Sequence, residues 1–312
     1  MFNDNVVGVV IPCYNEENLI IRTLETIPKF IDKVIVVNDG STDNTQSIVE
    51  TFISKDGSSK FELINNGKNF GVGRTIMIGY NRSIEKEIDI TVVMAGDNQM
   101  DPLYLPKLLE PIIEGKADYT KGNRLTHGDY RKMPLFRRFG NSILSLLTKI
   151  STGYWDIIDP QNGYTAASKD ALSSIIDSKV AGGYGYNSVM LTSLNISKKK
   201  VLDVSIPPVY GEEKSGIKIG RYMICTSWIL ISGFFRRINN KYGGLRLHPI
   251  LFYYYFSFLF LIASFALLYR MVYHRLYVQD TLPTNTTLGA LFSFVTGIQL
   301  LLSAFSADSD NK

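Results

Sequence analysis

Three stretches decide the fold of this chain: Val6–Glu17 (VVGVVIPCYNEE), Lys33–Thr45 (KVIVVNDGSTDNT) and Ile90–Pro102 (ITVVMAGDNQMDP). Each opens as a run of apolar, mostly β-branched residues and closes in a polar cluster. Short apolar runs bounded by turn formers read as strands buried on both faces. The first run, Val6 to Ile11, ends at a proline, and Phe61–Asn65 adds another strand. Between the strands lie helix-like pieces, Asn18–Pro28 and Gly73–Ser83, and Ser41, Thr42 or Asp43 can cap the helix after the second run. The βαβα alternation predicts an α/β domain, a mostly parallel sheet with helices on both faces. Ligands of such sheets sit outside the carboxyl ends of the strands. CYNEEN, NDGSTDN and AGDNQMD occupy three of those ends, and their convergence is the main functional signal.

Composition narrows the class. The chain has 312 residues, enough for one large core with an appendage, and a net charge of +4 without a long basic run. No nucleic-acid partner is expected. Two cysteines far apart in sequence, Cys13 and Cys225, make no disulfide framework and fit a reducing compartment. The opening residues carry no basic n-region or cleavage site, which leaves the N-terminus in the cytosol.

Hydropathy is uneven along the chain. Pro249–Tyr269 is an uncharged run long enough to cross a bilayer core of ~30 Å, and Leu288–Ala307 is a second. Neither has the polar face of a core helix, so both read as membrane spans. Arg236, Arg237, Lys241 and Arg246 crowd the segment before the first span and place it, with the α/β domain, on the cytoplasmic side. Two spans return the tail SADSDNK to that side. Tyr222–Phe235, bracketed by Arg221 and Arg236, is too short to span and reads as an interfacial helix, with a packed helix of the soluble domain as the alternative. The expected organisation is a catalytic domain over 1–218, a juxtamembrane amphipathic segment over 219–247 and a two-helix membrane region over 248–312. Membrane lipids are then partners, and the spans offer faces for a homo-oligomer.

The clusters suggest chemistry. Asp39 can accept hydrogen bonds from a ribose or a base, or simply form an Asp-Gly turn. Asp97, at a strand end beside a site for two phosphates, suits Mg2+ or Mn2+, with Gln99 and Asp101 as further oxygen donors. Each signal is weak alone; three at successive strand ends are not.

VVIPCYNEE, VIVVNDGSTDNT and VVMAGDNQMDP, in that order and spacing, resemble the family 2 glycosyltransferases of GT-A (Rossmann-like) fold. The closer resemblance is to the polyprenyl-phosphate sugar synthases, the dolichyl-phosphate mannose synthase and GtrB-like group, over Val6 to Lys218. Paired C-terminal spans also occur in that group. The resemblance implies that Pro12, Tyr14 and Glu16 line the nucleotide pocket, that Asp39 holds the base or ribose, and that Arg74 lies near the donor. Asp97 and Gln99 would bind the divalent metal and the donor diphosphate. The family's Asp-x-Asp pair is incomplete, because Ala95 stands where the first aspartate is expected. Arg124 of KGNR matches a position near the acceptor phosphate, and Arg137 and Asn141 match an Arg-x-x-x-Ser element. DPQNGYTA, from Asp159, resembles the segment beside the acceptor. Lys214 and Ser215 of YGEEKSGIK stand in a segment whose arginine is missing here. The activity implied is inverting transfer of a sugar from a UDP- or GDP-sugar to a lipid phosphate. The alternatives are a hydroxyl acceptor on a lipid or glycan, and a non-catalytic subunit that binds nucleotide sugar.

Overall fold

The computed structural model describes residues 1–125, 135–175, 185–207, 219–244, 248–278 and 284–310, with side chains at 135–139, 141 and 219–224 outside that description. Two compact units result, Met1–Arg237 and Ile238–Lys312.

The first unit is built on one sheet. Its strands are β1 (Val7–Cys13), β2 (Lys33–Asn38), β3 (Phe61–Asn65), β4 (Ile90–Val93), β5 (Tyr119–Asn123), β6 (Thr165–Ser168) and β7 (Val201–Ser205). Their spatial order is β3-β2-β1-β4-β6-β5-β7. Strand β6 runs antiparallel to β4 and β5; the other pairs are parallel. Among the described residues, helices α1 (Ile20–Glu25), α2 (Thr45–Asp56), α3 (Val72–Glu85), α4 (Leu105–Ile113), α5 (Leu135–Thr152), α6 (Lys169–Ile175) and α7 (Tyr186–Ile196) accompany the sheet.

Side chains alternate across a strand, so a strand covered on both faces must be apolar throughout. Val7, Val9 and Ile11 of β1 meet Leu24, Val49 and Leu108 of α1, α2 and α4. Val10, Ile35 and Val37 point the other way, to Ile76 and Tyr80 of α3, Leu172 of α6 and Leu191 of α7. Each fully buried aliphatic side chain contributes about 1.5–3 kcal/mol. That is why these strands read as unbroken apolar runs.

Strand β1 does not stop at Pro12. It continues to Cys13, with Pro12 opposite Val37 of β2. On its other side the ladder with β4 ends at Val10 and Val93, so the missing N–H of Pro12 breaks no bond there.

Helix α3 lies close against the sheet at Gly79. A Cβ built there would lie 2.2 Å from Val10 Cγ1. Gly79→Ala gains about 1 kcal/mol of helix propensity, but forcing a methyl into this packing costs about 1–3 kcal/mol. The substitution should therefore leave stability unchanged at best and lower it by up to ~2 kcal/mol, read as a drop in the unfolding midpoint of the purified protein. A clear rise in midpoint would show that α3 moves away freely.

Helix α8 (Ile219–Tyr242) extends the Tyr222–Phe235 segment at both ends. Leu230 and Phe234 are buried, whereas Trp228, Ile231 and Phe235 are exposed. Arg237, counted above among the membrane-proximal cations, is completely buried. Its Nε donates to Ser151 O (3.0 Å) and Nη2 to Ile150 O (3.1 Å), satisfying carbonyls at the end of α5. Arg236 is half-buried and donates to Ser193 Oγ (3.1 Å). The surface cation cluster is thus thinner than the sequence suggests.

The second unit is a helical hairpin of α9 (Pro249–Tyr273) and α10 (Thr284–Asp310), both long and apolar enough to cross a membrane. Gly297 packs on Leu261, and Ser264 Oγ donates to Ala290 O (3.1 Å). The second helix does not end at Ala307. It carries Asp308 to a buried position where Tyr242 (2.6 Å) and Tyr254 (3.2 Å) donate hydroxyl hydrogen bonds to it.

Candidate active site

The loops after β1 and β2 are bonded to each other. Asn15 N donates to Ser41 Oγ (3.0 Å), and Asn15 Oδ1 accepts from Thr42 N (2.8 Å). Glu16 N donates to Thr45 Oγ1 (2.8 Å), and Glu17 Oε2 accepts from Asn44 N (3.1 Å). Asn15 holds a φ of +57°, a conformation asparagine tolerates. The framework leaves Tyr14 exposed and Pro12 and Glu16 half-buried.

Asp39 lies beneath this surface, 3% exposed. Its Oδ1 accepts from Phe70 N (3.0 Å) and Asn66 Nδ2 (2.9 Å), and Oδ2 from Gly71 N (2.8 Å). Burial alone would raise its pKa, but the donors from Phe70, Asn66, Thr75 and Gly71 outweigh it and hold the carboxyl below its ordinary value. Gly40, at φ +71°, has the Lys68 backbone 2.5 Å from where a Cβ would stand. The Asp-Gly pair therefore clasps the loop that follows β3. That loop carries Phe70, whose ring has Lys68 Nζ at 5.0 Å and the Arg74 guanidinium at 5.5 Å. Sequence reasoning picked out Arg74 and missed Phe70 and Asn66, although the NNGKNFG string is rich in loop formers.

After β4 the chain turns through Asn98 (φ +57°) and brings Asp97 and Gln99 to one cleft with Asp101, Arg124, Asn162 and Tyr164. Asp97 Oδ1 accepts from Gln99 N (3.0 Å). Burial raises the Asp97 pKa, and backbone donors only partly offset it. Asp101 caps the turn at Pro102–Tyr104, accepting from Leu103 N (2.9 Å). Among the described residues no three His, Cys, Asp or Glu side chains gather as a metal site.

Arg124 follows β5, and Asp159 precedes β6. Because β6 is antiparallel, the loop before it lies at the same sheet edge as the loops after the parallel strands. Arg124 Nε donates to Asp159 Oδ2 (2.8 Å) and Nη2 to Oδ1 (3.2 Å), a two-point pairing. The Asp159 side chain is 4% exposed and that of Arg124 42%, so the guanidinium is anchored from below and open to the cleft above. Leu125 and Ile158, their chain neighbours, line a second groove of about 270 Å3 with Ser142, Ser145, Leu146 and Lys149. Arg137 and Asn141 belong to α5, but their side chains, and all of Lys214 and Ser215, lie outside the described residues.

Comparison with known proteins gives this edge a family. Residues 8–176 match the model of glycosyl transferase family 2. The UDP-N-acetylglucosamine–dolichyl-phosphate N-acetylglucosaminyltransferase of Methanococcus voltae is 31% identical over 221 residues, 67% of this chain and 88% of that protein. The undecaprenyl-phosphate mannosyltransferase of Micrococcus luteus is 29% identical over 228 residues, covering 70% and 92%. Glucosyl-3-phosphoglycerate synthase from Mycobacterium tuberculosis, solved with Mn2+, UDP and phosphoglyceric acid, shares the fold at a TM-score of 0.55 and 20% identity, over 75% of this chain and 78% of that one. With the doubly covered sheet and its polar carboxyl edge, these matches show that the chain belongs to glycosyl transferase family 2 and is a glycosyltransferase.

Proposed function

We propose that this enzyme moves a sugar, with inversion, from a UDP- or GDP-sugar to a polyprenyl or dolichyl phosphate at the cytoplasmic face of a membrane. The observation that carries the reading is one cleft holding the Asp97–Gln99 pair and the anchored guanidinium of Arg124. One side suits a metal-bound diphosphate and the other a phosphate monoester. Relatives of this chain act on dolichyl or undecaprenyl phosphate, and the largely apolar groove beside Arg124 suits the start of an isoprenoid chain.

The donor set fits a divalent ion. Asp97 is a half-buried carboxylate and Gln99 carries an amide carbonyl in the same cleft; Mg2+ and Mn2+ prefer such oxygen donors and commonly share them with phosphates. When bound, the ion neutralises charge on the departing nucleoside diphosphate. With Ala95 in place of a carboxylate, Asp97 would hold the ion with help from Gln99 alone in this motif. Tyr14, Glu16 and Arg74 bind the donor in this reading. Pro12 shapes the wall of the nucleotide pocket, and Asp39 acts on the base or ribose partly through the Phe70 loop that it holds.

Arg124 orients the acceptor oxygen, with Arg137 and Asn141 of α5, Asp159, Lys214 and Ser215 as further acceptor-side groups. A phosphate acceptor is already anionic near neutral pH, so the residues need to hold it in line, not deprotonate it. Among the described residues that line the cleft none is a histidine, as this chemistry allows. Residues 1–218 form the catalytic domain, 219–247 lie along the headgroups with Trp228 and Ile231 facing lipid, and 248–312 anchor the chain.

The test offers purified enzyme a panel of UDP- and GDP-sugars with Mn2+ or Mg2+, and either a polyprenyl phosphate or the matching polyprenol. Turnover of the phosphate alone is expected. Turnover of the alcohol alone would replace this reading with a hydroxyl acceptor.

A further inference from the structure

Lys121 is the middle residue of β5, on the face shared by Tyr119 and Asn123, and is completely buried. An ammonium group so placed costs several kcal/mol unless it is well bonded. A methionine of similar length would fill the space without that cost. The bonds that Lys121 makes therefore show what the charge is for.

Its Nζ donates to Asn162 O and to Asn187 Oδ1 (3.3 Å). Asn187, on α7, donates through Nδ2 to Gln161 O (3.2 Å). On the other side Asp203 of β7, opposite Lys121 in the strand register, accepts from Ile158 N (2.7 Å). Residues 158–162 have no strand ladder of their own, so these side chains take up backbone groups that would otherwise go unbonded. The segment so gripped is the one that carries Asp159, and Asp159 aims Arg124.

We infer that Lys121 is a positioning residue of the acceptor side: by pinning the 158–162 segment and balancing its charges, it sets where the Arg124 guanidinium points and how freely it can bind phosphate. Two cations, Lys121 and Arg124, stand against two carboxylates, Asp159 and Asp203. Burial pushes Lys121 down to about 8, while Asp159 and Asp203 hold it up against the like charge of Arg124. Without the ammonium, two carboxylates would face one guanidinium. Arg124 would be drawn to the protein and away from a ligand.

The inference rests on reading Arg124 as the phosphate-facing cation. Lys121→Met should raise acceptor KM about tenfold and leave donor KM within twofold, because a small misplacement of a binding group costs on that order or more. Asn187→Ala loosens the same segment while keeping the buried charge; it should shift acceptor KM the same way and keeps the test alive if Lys121→Met fails to fold. Combined with Asp159→Asn, the Lys121→Met effect should shrink, since both act through one carboxylate. Acceptor KM unchanged in both single variants, or donor KM rising in proportion, would reduce Lys121 to a packing role. The split is read with whichever acceptor the wild-type enzyme turns over. Failure of the lipid-phosphate reading would show in the wild type alone, and failure of this inference only in the variants.

Discussion

Asp97→Ala should abolish transfer, with kcat/KM falling by a factor of about 1,000 or more, some 4 kcal/mol. Ala95 leaves Asp97 as the carboxylate that this motif offers to the proposed ion, and Gln99 lends an uncharged oxygen. The side chain is half-buried, and that burial raises its pKa. Binding of Mn2+ in the presence of nucleoside diphosphate, followed by electron paramagnetic resonance, should weaken in step with activity. Ala95→Asp, which restores a carboxyl pair, should be tolerated and should tighten Mn2+ binding. Full activity in Asp97→Ala would remove the metal assignment.

The second large effect is expected at Arg124. Arg124→Ala should raise acceptor KM, or lower the rate, about 10- to 100-fold, equivalent to about 1.4–2.7 kcal/mol, with donor affinity little changed. Lysine there should recover part of the loss, because it keeps the charge but not the planar fork. A basic surface acting through anionic lipid would instead give small effects that fade with salt. The structure adds a control. Removing the Arg124 side chain takes the two-point partner from the buried Asp159 carboxylate, which keeps only the backbone N–H of residue 124 and the nearby Lys121, and should lower stability by about 1–3 kcal/mol. Arg124→Ala with Asp159→Asn should recover stability but not acceptor binding. Steady-state kinetics at two salt concentrations, beside thermal unfolding, separates the two losses. Acceptor KM and rate within twofold of wild type, in Arg124→Ala and in Arg137→Ala, would move the phosphate site elsewhere.

The fold is legible because buried parallel strands have a plain signature. Four of the strand positions read from the sequence coincide with β1 to β4 within a few residues. Asp97 and Gln99 stand in a strand-end cluster that turns alone do not require, whereas Arg124 is singled out only by resemblance; the structure brings the three to one cleft. What escaped depends on register and on partners distant in sequence. Asp39 reads as a ligand-facing carboxylate, but its bonds with Phe70 N, Gly71 N and Asn66 of the next loop do not show in the sequence. Lys121 and Asp203 meet only through the pairing of β5 with β7, which periodicity does not disclose. Arg237 carries the charge of a membrane-facing residue, yet the end of α5 draws it inward. In all three, hydrogen-bond demand from elsewhere in the chain overrides local chemistry.

The antiparallel strand β6 also shapes how the chain reaches its fold. It covers the free side of β4 by pairing Thr165 with Val93 and Ser168 with Ile90, separations of 72 and 78 residues. Until those residues arrive, β4 is a bare edge, apolar but for Thr91, ending two residues before Ala95. Such edges recruit other strands, and pairings this distant form slowly. A chain cut before Thr165 would keep the three polar clusters. Its hydrogen-bonding edge would stay open, a template for association between copies. Solubility of the first half is therefore conferred by the second.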